Sequence, residues 1–194
     1  MDIILDIDTQ VDFMMREGAL YVPDAESITE NIKRFLSNTY MPIISTVDEH
    51  DVDDQEFKTF PKHCVKQSSG AWKIPETMVY TLPYLSRIMN NRDVFSSESL
   101  KTAKQFIIPK KTYNIWDVEL GNPLAMMQVI NQFKPETVHV IGVATDICVL
   151  AGVKGIAQHV KKVVIHSDCV KGLSAENEDK AFKEMFSLGN VELI

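Results

Sequence analysis

The sequence predicts a three-layer α/β sandwich built on a parallel sheet. Three observations predict it. Short apolar runs alternate with longer segments of helical period along the whole chain. Helices between successive strands imply parallel pairing, because parallel neighbours need a crossover connection. At 194 residues, with 45% hydrophobic and 24% charged side chains, the chain fits one globular domain, taken as residues 1–194.

The elements follow in order. Asp2–Asp8 (DIILDID) reads as a buried strand, and Asp24–Asn38 as a helix with Ile28, Ile32, Phe35 and Leu36 on one face. Pro42–Val47 (PIISTV) and Gln105–Ile108 are short strands. Pro123–Phe133 is a helix with proline early, where a missing N–H does no harm. Thr137–Val143 is a strand, Asp146–His159 a helix and Lys162–His166 a strand. Ser174–Leu188 is a helix with Ser174 as N-cap and Gly189 as its stop, and Val191–Ile194 closes the chain as a strand. These are six strands. Asp48–Leu100 is long and mixed, with no regular pattern.

Composition excludes several classes. Twenty basic against 27 acidic side chains give a net charge of −7, a poor balance for binding nucleic acid or an anionic membrane. No apolar run approaches the ~20 residues of a membrane span. The start, MDIILDID, lacks the basic region of a signal peptide. Three cysteines, Cys64, Cys148 and Cys169, do not make a disulfide framework and suit a reducing cytoplasm. A cytoplasmic enzyme is the expected class.

In open α/β sheets ligands sit beyond the carboxyl ends of the strands. There the chain places Asp8 and Asp12, then Asp48 and His50, then Lys110 and Lys111, then Ala144-Thr-Asp-Ile-Cys148. Singly, each has a plain reading as a turn residue, a solvated charge or a small buried hydrophobe. Together they supply carboxylates, a lysine and a cysteine to one crevice. Cys148 falls in the first turn of a predicted helix, where free N–H groups favour thiolate and can receive an oxyanion. Asp8 is placed to take the thiol proton, with a lysine to hold and orient that carboxylate. Asp48-x-His50 with His63 downstream offers a carboxylate and two imidazoles, a set suited to Zn²⁺, Fe²⁺ or Mn²⁺. The acids Asp51, Asp53, Asp54 and Glu56 lie between them. His139, His159 and His166 have no carboxylate cluster and read as structural.

With these residues in place, the chain resembles the isochorismatase-like cysteine hydrolase superfamily, and within it the nicotinamidases. The resemblance rests on DTQVDF (8–13) with GALYVP (18–23), the block from Asp48 to Val65, PKKTYNIW (109–116), IGVATDICV (141–149) and the tail 171–189. It implies a Rossmann-like sandwich with a six-stranded parallel sheet. It implies that Cys148 attacks the amide of nicotinamide, with Asp8 as general base and Lys110, rather than Lys111, as third member. A non-proline cis peptide is implied at Val143–Ala144, with the Ala144 and Cys148 N–H groups forming the oxyanion hole. A divalent metal, with zinc first and iron or manganese as alternatives, is implied at Asp48, His50, Glu56 and His63, orienting the pyridine ring. Phe13, Phe60, Tyr113 and Val143 match pocket positions. Family members are often dimers or larger, and nothing in the sequence selects a homo-oligomer. The alternatives are another amidase of the superfamily acting on a carbamoyl or ureido compound, and a silent member serving as a binding protein. Two segments depart from the family pattern: KQSSGAWKIPET after His63-Cys64-Val65, and Tyr113-Asn-Ile-Trp116 in place of Tyr-Ser-Ala-Phe.

Overall fold

The computed structural model describes residues 1–78 and 85–194. One sheet contains β1 (Asp2–Ile7), β2 (Ile43–Asp48), β3 (Leu85–Arg87), β4 (Gln105–Lys110), β5 (Thr137–Val143), β6 (Lys162–Lys171) and β7 (Val191–Leu193). Their order is β3-β4-β2-β1-β5-β6-β7, with every pairing parallel. The sheet therefore has seven strands rather than six. The addition is β3, an edge strand of three residues inside the mixed segment, too short to carry an alternating pattern.

The helices are α1 (Val11–Met14), α2 (Thr29–Ser37), α3 (Ser97–Thr102), α4 (Pro123–Phe133), α5 (Leu150–Ile156) and α6 (Ala175–Phe186). Asn122 caps α4 by accepting from the Ala125 N–H at 3.0 Å. Ser174 does the same for α6. Two expected helices are subdivided. The Asp24–Asn38 segment begins as a 3₁₀ turn, Ala25–Ile28, before α2. The Asp146–His159 segment begins as a π turn, Thr145–Val149, before α5.

Side-chain alternation along β1 builds the layers. Ile3, Leu5 and Ile7 enter a core with Val129 of α4, Val153 of α5 and Met185 of α6. Ile4 enters the opposite core with Met14, Ile28 and Ile32. Each such aliphatic side chain, fully buried, contributes roughly 1.5–3 kcal/mol. Asp6 faces the second core and is neutralised by Lys73 at 2.7 Å, both side chains being buried. Thr9 and Ser45 hydroxyls bond the same carboxylate at 2.8 and 2.7 Å. No helix among the described residues is long and apolar enough to cross a membrane.

From β1 the chain passes to β2, then to the edge strand β3, back between these two as β4, and on to the other side of β1 as β5. This reversal opens a crevice at the carboxyl ends of β1 and β5. Gly142, at φ +117°, lets the strands close there: a Cβ would lie 2.0 Å from the Ile7 carbonyl oxygen.

Candidate active site

Asp8 leaves β1 with φ +52°, a left-handed turn that aspartate tolerates. The Thr46 hydroxyl donates to its Oδ1 at 2.7 Å. Lys110 Nζ lies 2.8 Å from its Oδ2. Lys110 reaches Asp8 because it shares side-chain parity with Phe106 and Ile108 and ends β4 pointing inward. The next residue, Lys111, turns out to pair with Asp51. Burial works against the Lys110 ammonium, but Asp48 and Asp8 beside it outweigh that and raise its pKa above the ordinary lysine value.

Cys148 sits in the π turn that follows β5, where the Ile147 and Val149 N–H groups both bond to the Ala144 carbonyl at 3.0 and 3.1 Å. The Val143–Ala144 peptide is cis. Lys110, Asp8 and Asp48 all bear on the Cys148 thiol through their charges. The expected preference for thiolate is reversed in the folded protein. Burial pushes the thiol well above its ordinary range, and this exceeds the opposing pull of Lys110.

Asp48, His50, Glu56 and His63 place one ligand atom each within 4.8 Å of one another. Asp48 Oδ1 lies 3.2 Å from His50 Nε2, and its Oδ2 lies 3.4 Å from His63 Nε2. His63 Nδ1 is engaged by the Pro61 carbonyl at 2.8 Å, which turns Nε2 toward the cluster. Asp54 Oδ2 stands 3.2 Å from His50 Nδ1. Asp48 Oδ1 and both His50 nitrogens are buried without a hydrogen-bond partner. Buried polar atoms left so, with carboxylates and imidazoles converging, fit a borderline divalent cation. Burial opposes charge on Asp48, yet Lys110 and the two imidazoles overcome it and hold the carboxyl below the usual carboxylate range. Burial, then the nearby Asp48, pushes Glu56 up.

A cavity of about 170 Å³ joins the two groups. Phe13, Phe60, Tyr113 and Val143 all line it, together with Cys148, Ala144, Asp48, Glu56 and His63. Phe13 and Val143 are buried, whereas Phe60 and Tyr113 form the outer rim. Every residue expected at the site is thus brought to one place. Others were not anticipated. Leu20, Val22, Ile147 and Leu173 complete the walls. Gln10 fixes the end of β2: its amide donates to the Asp48 carbonyl and accepts from the Asp48 N–H, each at 2.7 Å. Leu20, Val22 and Gln10 lie inside segments that carried the resemblance, but their types announce no chemistry.

The model of the isochorismatase domain matches residues 89–193, more than half of the chain. The chain belongs to the isochorismatase family. It is 28% identical over 206 residues to a nicotinamidase of Schizosaccharomyces pombe, spanning 97% of this chain and 90% of that protein. The pyrazinamidase/nicotinamidase of Streptococcus mutans shares the fold, with a TM-score of 0.77, 23% identity and complete coverage of both chains. So does the pyrazinamidase of Pyrococcus horikoshii in complex with zinc, with a TM-score of 0.74, 21% identity, and coverage of 100% of this chain and 98% of that one. Within this isochorismatase-family chain, the matched segment holds Lys110 and the Cys148 turn, while Asp8 and the Asp48 cluster precede it.

Proposed function

We propose that the chain is an amide hydrolase that converts nicotinamide to nicotinic acid and ammonia, with Cys148 as nucleophile, Asp8 as general base and Lys110 as the group that orients Asp8. The observation that carries the reading is the cavity itself. It holds a thiol backed by a buried Asp–Lys pair at one part of its wall and a carboxylate–imidazole cluster at another. Its volume of about 170 Å³ and mostly apolar walls suit one flat ring with a carboxamide. The likeness to the fission-yeast nicotinamidase over nearly the whole chain supports the same substrate class.

The chemistry runs in two halves. Asp8 takes the Cys148 proton as sulfur adds to the carboxamide carbon. The Ala144 and Cys148 N–H groups receive the resulting oxyanion. Asp8 returns the proton to nitrogen, the C–N bond breaks, ammonia leaves and a thioester remains. Asp8 then takes a proton from water, the hydroxide adds, the C–S bond breaks as Asp8 returns that proton to the Cys148 sulfur, and nicotinic acid leaves. Lys110, charged throughout, holds Asp8 in place through its Oδ2 at 2.8 Å. A divalent cation held by Asp48, His50, Glu56 and His63 would supply a Lewis-acid contact orienting the ring nitrogen; the zinc complex of the archaeal pyrazinamidase favours zinc.

Carbamoyl and ureido acids fit less well. No lysine or arginine lines the cavity among the described residues, so a substrate carboxylate would find no side-chain cation to pair with and would compete for the divalent-cation position. A silent binding protein has no use for a buried Asp8–Lys110 pair aimed at a thiol. The test is ammonia release from nicotinamide, with and without chelator treatment, beside Cys148→Ala. Metal-dependent turnover that vanishes in the variant is expected. Full turnover in Cys148→Ala would overturn the mechanism, and no turnover by metal-loaded protein would overturn the substrate.

A further inference from the structure

Two carboxylates have no part in that chemistry: Asp146 belongs to the nucleophile turn and Glu178 lies against it. Glu178, in the first turn of α6, accepts at one oxygen from two separate segments: the Thr145 hydroxyl at 3.1 Å and the Gly172 N–H at 2.7 Å. Asp146 Oδ1 accepts the Leu173 N–H at 2.9 Å. Ser174 already caps α6, so Glu178 is not engaged in satisfying the free N–H groups of its own helix. The fit is close. A Cβ on Gly172 would lie 2.5 Å from Glu178 Cγ and 2.7 Å from Asp146 Oδ1.

These bonds join the two pieces that form one side of the cavity. Thr145 is fully buried and directly follows Ala144, whereas Leu173 is 44% exposed and lines the cavity with Ala144, Ile147 and Cys148. A leucine that exposed is not held by core packing. Its place is fixed by its own N–H bond to Asp146 and by that of the preceding Gly172 to Glu178.

We propose that Glu178 is a positioning residue: with Asp146 it staples the Gly172–Leu173 segment to the nucleophile turn, sets Leu173 as the wall beside Cys148, and so limits the site to single-ring amides. The inference rests on Cys148 being the reactive centre. In Glu178→Ala the Gly172 N–H and the Thr145 hydroxyl lose their shared acceptor and the wall is free to retreat. In Glu178→Gln an acceptor oxygen remains.

The test uses the full chain and two alkylating reagents of one chemistry, iodoacetamide and its bulkier N-phenyl derivative. Modification of Cys148 is followed by mass spectrometry in the unsubstituted protein, Glu178→Ala, Glu178→Gln, Asp146→Ala and Leu173→Ala, each checked for cooperative thermal unfolding. The rate ratio of bulky to small reagent is expected to rise roughly tenfold in Leu173→Ala and Glu178→Ala, the scale on which small changes in a pocket wall discriminate. It should rise in the same direction in Asp146→Ala and return toward the starting ratio in Glu178→Gln. A role confined to stability would lower the melting temperature of Glu178→Ala and leave the ratio unchanged, which overturns the proposal. An unchanged ratio in Leu173→Ala overturns the wall itself. Should Glu178→Ala fail to fold, Asp146→Ala decides by the same ratio. Turnover of nicotinamide and of quinoline-3-carboxamide is measured in parallel. Absent turnover with a shifted ratio would bring down the substrate reading and leave the staple standing. Normal turnover with an unshifted ratio would do the reverse.

Discussion

Lys110 and Asp48 are register partners on adjacent parallel strands, and Lys110 Nζ lies 3.6 Å from Asp48 Oδ1. The same ammonium lies 2.8 Å from Asp8. One buried cation therefore touches both Asp8 and the carboxylate–imidazole cluster. Lys110→Met is expected to lower ammonia release by roughly 10²–10⁴, the range of a lost acid–base arrangement. Cobalt binding should be retained or tightened, because a positive charge beside Asp48 opposes a second one. Spectroscopic cobalt titration beside the activity assay checks both directions. Loss of cobalt binding would mean that Lys110 builds the cluster rather than opposing its charge.

The Cys148 thiol gives a second test. Burial raises its pKa, Lys110 pulls it down, and Asp8 and Asp48 push it up. Alkylation of Cys148 should still be accelerating as pH rises through the ordinary cysteine value of 9.0. In Asp8→Asn a raising charge is gone, so alkylation at a given pH should be faster while turnover collapses. A plateau near neutral pH in the unsubstituted protein would show a thiolate stabilised at rest.

Glu26 offers a stability test away from the site. The Tyr21 hydroxyl, and then the Arg16 guanidinium, hold its carboxyl down from 4.5 to about 2. A depressed folded pKa stabilises above the unfolded value, and the effect is lost as pH falls. The melting-temperature gap between the unsubstituted protein and Glu26→Gln should be widest near neutrality. It should narrow below pH 4.5 and close near about 2. Added salt should shrink it, since the group is at the surface.

Lys73 and Asp6 form an ion pair of another kind, with side chains 2% and 0% exposed. Lys73→Met leaves Asp6 buried and unpaired, at a cost of about 3–5 kcal/mol. Lys180→Ala, which removes an exposed partner of Glu176, should cost about 0.2–1 kcal/mol. Urea unfolding measures both, and equal costs would mean that water reaches Asp6.

The central strands were legible because each is a compact apolar run: Thr137–Val143 falls where expected to the residue. Lys162–His166 was only the first half of β6, because the register shift opposite Gly142 lets the strand run on through polar Ser167 and Asp168 to Lys171. The metal-type cluster was legible from residue kinds alone. Selecting Glu56 from among Asp51, Asp53 and Asp54 came from the resemblance, because in an acidic run only the fold decides which carboxylate turns inward. Asp51 is drawn outward by Lys66 and Lys111. The direction of the Cys148 shift was not legible. A helix start predicts thiolate, but desolvation depends on how the β1 and β5 ends enclose the sulfur, which no local pattern encodes.

The reversal of the chain at β1 has a consequence for how the molecule could be divided. Asp8, the Asp48 cluster and Lys110 all precede the loop in which Val118 is 83% exposed, and Ala144 and Cys148 both follow it. A cut in that loop would leave Asp8, Lys110 and the Asp48 cluster on one fragment and Cys148 on the other. Under the proposed mechanism neither half hydrolyses an amide alone. Turnover would return only when the fragments re-pair β5 against β1, so ammonia production would become a reporter of sheet assembly.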